Sequence, residues 1–229
     1  MNGLIGVIGF ILGLAAERVA HIFILEESTK NFKKSIITLI SQLKNQENYS
    51  KATVLIPVVA ALISILLYMK YGLTLTFFKF LFFMTMMILI GYIDFKTTYV
   101  YRVTTLMTAI IGVIFITLES WKLQTFPFDY LLGSLIGFLV IGLIVFITRG
   151  MGEGDIEIAA LCGLFLGTIG SMLTLFLGIV FGGIGGAILL ARQAKGLKDE
   201  MAFGPYLVIA AMISMLWGHQ IFDIYMSLF

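Results

Sequence analysis

Two aspartates in this 229-residue chain stand where carboxylates are costly. Asp94 closes an apolar run that begins at Leu73. Asp155 lies in the glycine-rich turn Arg149-Gly150-Met151-Gly152-Glu153-Gly154-Asp155, just before a second run that opens at Ile156. Carrying a charged side chain toward a bilayer costs at least a few kcal/mol, so an acid at the mouth of a membrane span is a functional candidate by default. Two carboxylates close enough to share a proton divide the work. The ionised one serves as a base, the neutral one as an acid, and the pair activates water against an amide. A helix start favours the anion and a helix end the neutral acid, so Asp155 is expected as the base and Asp94 as the acid. Glu153 and Glu157 flank Asp155, and the glycines at 150, 152 and 154 imply positive φ or a close approach of backbone. The plainer alternative is that Asp155 caps a helix and Asp94 is a solvated helix end. Spacing alone does not bring the two together.

The elements that must position these acids are membrane helices. Hydrophobic residues make up 60% of the chain and charged residues 12%, and the mean hydropathy is +1.05, which excludes an ordinary soluble domain. The strict alternation of a membrane barrel is absent, while runs long enough to cross as helices recur. The expected class is therefore all-α, a polytopic membrane protein of about eight transmembrane helices. Spans are predicted at 3–25, 53–69, 73–93, 103–118 and 130–148. Two more are predicted within 156–191, with a tight break near Gly170-Ser171, and a last one within 203–229.

Met-Asn-Gly ahead of the first span is too short for the basic start of a signal peptide, so that span is expected to be retained. Within it, Glu17 and His21 stand four apart and could satisfy each other. Pro57 falls early in the second span, where a missing N–H costs least. Lys79 is expected to snorkel to the near interface. The glycines at 178, 182, 183, 185 and 186 are suited to close helix packing.

The loops carry a strong asymmetry of charge. With the N-terminus outside, the inner loops hold Lys30, Lys33, Lys34, Lys44, Lys51, Lys96, Arg102, Arg149, Arg192, Lys195 and Lys198, and the outer loops only Lys70 and Lys122. The positive-inside rule then places residues 26–52 in the cytoplasm and both termini outside. Asp94 and Asp155 are both expected at the cytoplasmic face. One cysteine, Cys162, and two distant histidines, His21 and His219, exclude an intrachain disulfide and give no metal motif, so neither metal nor cofactor is expected.

Gly152-Glu153-Gly154-Asp155, with the Ala-Ala-Leu-Cys-Gly-Leu-Phe-Leu-Gly run ending at Gly167, resembles the GxGD signature of the type IV prepilin peptidases, intramembrane aspartic proteases. Asp94, eleven residues before Thr105, resembles that family's first catalytic aspartate. Phe203-Gly204-Pro205 resembles the FGP element opening its last helix, and Gly9 to Gly13 its N-terminal span. The likeness touches the whole chain as one peptidase domain, 1–229, with a core over 73–229 holding both aspartates. Family members often have Ile-Pro where Val100-Tyr101 stand, and a lysine where Glu157 stands. Many also carry two CxxC pairs binding zinc in the first cytoplasmic loop, associated with methylation of the new N-terminus; this chain has none.

The resemblance implies a bacterial cytoplasmic-membrane endopeptidase with Asp94 and Asp155 as catalytic residues and Gly152, Glu153 and Gly154 as the active-site loop. Substrate contacts are expected at Glu157, Phe203, Gly204 and Pro205. The implied partners are membrane lipids and a prepilin or pseudopilin, cut after the glycine ending a basic leader and before a hydrophobic helix; no nucleic acid is expected. Glu153 and Glu157 would attract that leader. The competing classes are a membrane carrier, which would usually place its acids near the midplane, and a catalytically inactive assembly scaffold of the same fold.

Overall fold

A computed structural model describes residues 1–29, 51–148, 151–191 and 202–227, the side chains of 25–29 and 51–54 excepted. All regular structure in them is helical: α1 (Asn2–Thr29), α2 (Lys51–Tyr71), α3 (Leu75–Thr97), α4 (Arg102–Leu123), α5 (Phe128–Thr148), α6 (Glu153–Ala191) and α7 (Gly204–Met226). The reason is general, because in lipid a helix satisfies its own backbone N–H and C=O groups. Six of the helices contain stretches long and apolar enough to cross a membrane, and in α2 the apolar part is the shorter Leu55–Tyr71. The chain is thus a polytopic all-α membrane protein. Most of the predicted 26–52 loop, together with Arg149, Gly150 and the 192–200 segment, lies outside the described residues.

Two compact units divide the chain, Met1–Thr97 and Thr98–Phe229. In the first, α1 lies against α2 through its small residues. A Cβ on Gly9 would stand 2.0 Å from Ser64 Oγ, and one on Gly13 would stand 2.8 Å from Pro57 Cα. The Ser64 hydroxyl donates to the carbonyls of Ile5, at 3.2 Å, and Ala61, at 2.8 Å. Because α2 begins at Lys51, Pro57 is inside the helix and in its second turn, within the first two turns expected of it.

Glu17 is buried and meets His21 Nε2 at 3.2 Å and Arg18 Nε at 3.6 Å, so the four-residue spacing does bring Glu17 and His21 together. His21 in turn lies 3.4 Å from the Tyr92 hydroxyl of α3. Lys79 departs from expectation. It is 1% exposed, with its ammonium 5.0 Å from the Phe80 ring, because α3 buries most of its circumference within the protein.

In the second unit α5 runs against the first half of α6. A Cβ on Gly163 would fall 2.0 Å from the Gly133 carbonyl oxygen, and one on Gly137 would fall 2.3 Å from that of Ala159. At 39 residues α6 would measure about 58 Å if straight, nearly twice the ~30 Å hydrocarbon core. It is not straight, because Gly167 (φ 72°, ψ −172°) breaks it into two arms. The expected pair of helices is therefore found, with the break three residues earlier than Gly170. Asp129 starts the second arm: its Oδ1 accepts from the Thr168 N–H at 3.2 Å, and the Thr168 hydroxyl donates to the Asp129 carbonyl at 3.1 Å. That arm packs on α7, where Cβ atoms on Gly178 and Gly182 would lie 2.8 and 2.5 Å from Leu207 and Phe203.

Candidate active site

Asp155 is the third residue of α6 and is buried. Its Oδ2 accepts from the Gly152 N–H at 3.2 Å, and its own N–H donates to the Gly152 carbonyl at 3.1 Å. The side chain thus reaches back to the residue preceding the helix, as the third-position acid of a capping box does. An anion here is favoured by the helix N-terminus. Neither described glycine of the turn has positive φ; in the described chain only Gly72 and Gly167 do among the glycines. The close-approach alternative applies to Gly154, where a Cβ would sit 2.5 Å from Val100 Cβ, while Gly152 faces open space apart from Asp155.

The segment around Val100 holds the turn from the other side. Tyr101, with φ −76° and ψ 116°, precedes α4, and its carbonyl accepts from the N–H groups of Thr104 and Thr105 at 2.9 and 3.3 Å. This backbone has a φ that proline also adopts. One turn into α4, the Thr105 hydroxyl donates to Glu157 Oε2, and Arg102 Nε donates to Glu157 Oε1 at 3.2 Å. Thr105 is buried and the Glu157 side chain is 31% exposed. Glu157 is therefore engaged within the second unit, whereas Glu153, one turn earlier, is exposed.

Asp94 belongs to the first unit. It is buried in the last turn of α3, and the helix runs three residues past it, ending before Thr98 turns to φ 54°. Phe203 and Gly204 are buried at the start of α7, with Pro205 half-buried in its first turn. The Phe203 ring covers Gly182 and its carbonyl accepts from the Tyr206 and Leu207 N–H groups at 3.0 and 3.3 Å. These contacts join α7 to the second arm of α6.

Sequence reasoning overlooked the roles of Arg102, Thr105 and Asp129. Arg102 had the look of one more loop cation, and its partner lies 55 residues away. Among the described residues no group of three or more His, Cys, Asp or Glu side chains is placed to hold a metal.

The chain is an all-helical membrane protein, with Asp94 buried near the end of α3 and Asp155 buried near the start of α6. Residues 81–187 carry a match to the Type IV leader peptidase family, a stretch that includes both Asp94 and Asp155. Among similar proteins is a prepilin leader peptidase/N-methyltransferase of Pseudomonas putida, 35% identical over 106 residues, 44% of this chain and 37% of the relative. Proteins of the same name in Pseudomonas aeruginosa and Bacillus subtilis are 33% and 31% identical, over 43% and 48% of this chain and 36% and 43% of their own. The chain thus covers well under half of each relative's length. No solved structure matches it.

Proposed function

We propose that this chain is an intramembrane aspartic endopeptidase that removes the short basic leader of a prepilin or pseudopilin. Cleavage takes place at the cytoplasmic membrane face, after a glycine and before the hydrophobic helix. Asp155 carries the reading: it is a buried carboxylate at a helix N-terminus, in a glycine turn inside the segment that matches leader peptidases. Asp94, also buried and in the same matched segment, is the second member of the proposed pair.

In the proposed reaction ionised Asp155 takes a proton from water as its oxygen attacks the scissile carbonyl, and protonated Asp94 donates to the carbonyl oxygen. As the tetrahedral diol collapses, Asp155 gives its proton to the departing amine and a diol hydroxyl returns one to Asp94, which restores the pair. Glu153 supplies the negative potential that draws in a basic leader. The relatives' names also include N-methyltransferase; the proposal concerns the peptidase half alone, since the cysteine pairs associated with methylation have no counterpart in a chain whose one cysteine is Cys162.

Co-expression with candidate prepilins tests this, read as a leader-sized gel shift. Wild type is expected to process the substrate, while Asp94→Asn and Asp155→Asn, expressed at equal levels, are expected to lose at least a hundredfold in rate. Unchanged processing in either variant overturns the assignment and favours an assembly scaffold or a carrier.

A further inference from the structure

Glu157 follows Asp155 by two residues, so a lateral shift of one is passed to the other through a single helical turn. Three contacts hold this turn to Val100 and to the first turn of α4. Val100 fills the space beside Gly154, which admits no side chain. Thr105 donates its hydroxyl to one oxygen of Glu157, and Arg102 donates Nε to the other. The weight of the contacts is uneven. The Arg102 side chain is 75% exposed, so its ion pair alone is weak. The Thr105 bond is charge-assisted and comes from a buried residue, which makes it the stronger tie. Each oxygen of Glu157 thus accepts a hydrogen bond within the unit.

We infer that Glu157 is a positioning residue, latched by Arg102 and Thr105, that fixes the orientation of the Gly152–Asp155 turn for catalysis. This inference rests on the peptidase reading of Asp155. The latch acts on the rate of the chemical step, because a catalytic group displaced by an ångström can lose two orders of magnitude in rate while substrate binding is unaffected. Its two oxygens make Glu157 the joint where the start of α4 and the start of α6 are set against each other.

The test uses the full chain in detergent with a synthetic prepilin segment bearing a short basic leader, a glycine and an apolar helix. Glu157→Gln and Thr105→Val are expected to lower kcat about tenfold with KM within twofold of wild type. Thr105→Ser, which keeps the hydroxyl that Glu157 accepts from, is expected to retain several-fold more activity than Thr105→Val. A rise in KM for the basic leader at constant kcat overturns the latch and makes Glu157 a substrate contact; unchanged kinetics also overturn it.

Thermal melting reads the same contact without activity. Thr105→Val and Glu157→Gln are expected to be non-additive, the double variant melting no lower than the worse single one. Additive losses overturn the latch. If wild type itself cleaves no prepilin, the peptidase reading fails, and the melting cycle still decides whether the contact exists.

Discussion

Glu153 and Glu157 lie four apart on one face of α6, yet they meet different surroundings: one is exposed, the other accepts from Arg102 and Thr105. The two carboxylates should therefore separate kinetically. Glu153→Lys is expected to raise KM several-fold for a basic leader and little for a neutral one, with kcat nearly constant, as charge on a rim acts mainly on encounter. Equal effects on both leaders would remove Glu153 from substrate attraction. At Gly154 even a methyl group meets Val100, so Gly154→Ala is expected to slow cleavage at least tenfold and Val100→Gly to restore part of the loss. Asp94 and Asp155 stand out in the sequence because a carboxylate beside a long apolar run is costly wherever the chain goes. The meaning of Glu157 is not legible there, since it depends on a hydroxyl and a guanidinium more than 50 residues upstream.

Within α6, what divides the helix is one backbone conformation and one cap. Gly167 adopts φ 72°, and a Cβ there would lie 2.1 Å from Asp129 Oδ2, so Gly167→Ala combines strain with a clash. The expected cost is about 1–3 kcal/mol. Asp129→Ala removes the acceptor for the Thr168 N–H and is expected to cost about 1 kcal/mol. Melting of the purified variants in detergent gives both values, and an Asp129→Ala variant as stable as wild type would deny the cap any role.

The length of the 156–191 run requires a break, but its composition offers several small residues that could host it. The choice of Gly167 over Gly170 rests on Asp129, 38 residues earlier at the start of another helix. Lys79 misleads for a related reason. Hydropathy registers a cation in an apolar run but not that α3 is wrapped by its neighbours.

At the scale of the whole chain, the eight apolar stretches and the class of membrane protein are legible because bilayer thickness sets a length that recurs along the sequence. The division at Thr97/Thr98 is not, since Asp94 and Arg102 look like the two ends of a short polar loop. Loop charge also yields a testable orientation. A reporter active only outside the membrane is expected to be active when fused within 119–129 and inactive when fused within 26–52. The reverse pattern would invert the proposed cytoplasmic cleavage.

The break at Gly167 bears on water as well as on chain direction. Asp155 precedes it by twelve residues, about 18 Å of helix, against a hydrocarbon layer of about 30 Å. A bilayer of ordinary depth cannot have the carboxylate at one surface and the break at the other. Either lipid thins around the first arm, or the acid lies beneath the headgroups, or the buried break at Gly167 itself lies within the hydrocarbon layer. In the first two cases water would have to reach the proposed catalytic aspartate through a local depression of the membrane. If the first arm thins the bilayer, the proposed hydrolysis should run several-fold faster in short-chain than in long-chain lipid nanodiscs at equal substrate occupancy, and indifference to acyl length would place the break within the bilayer instead.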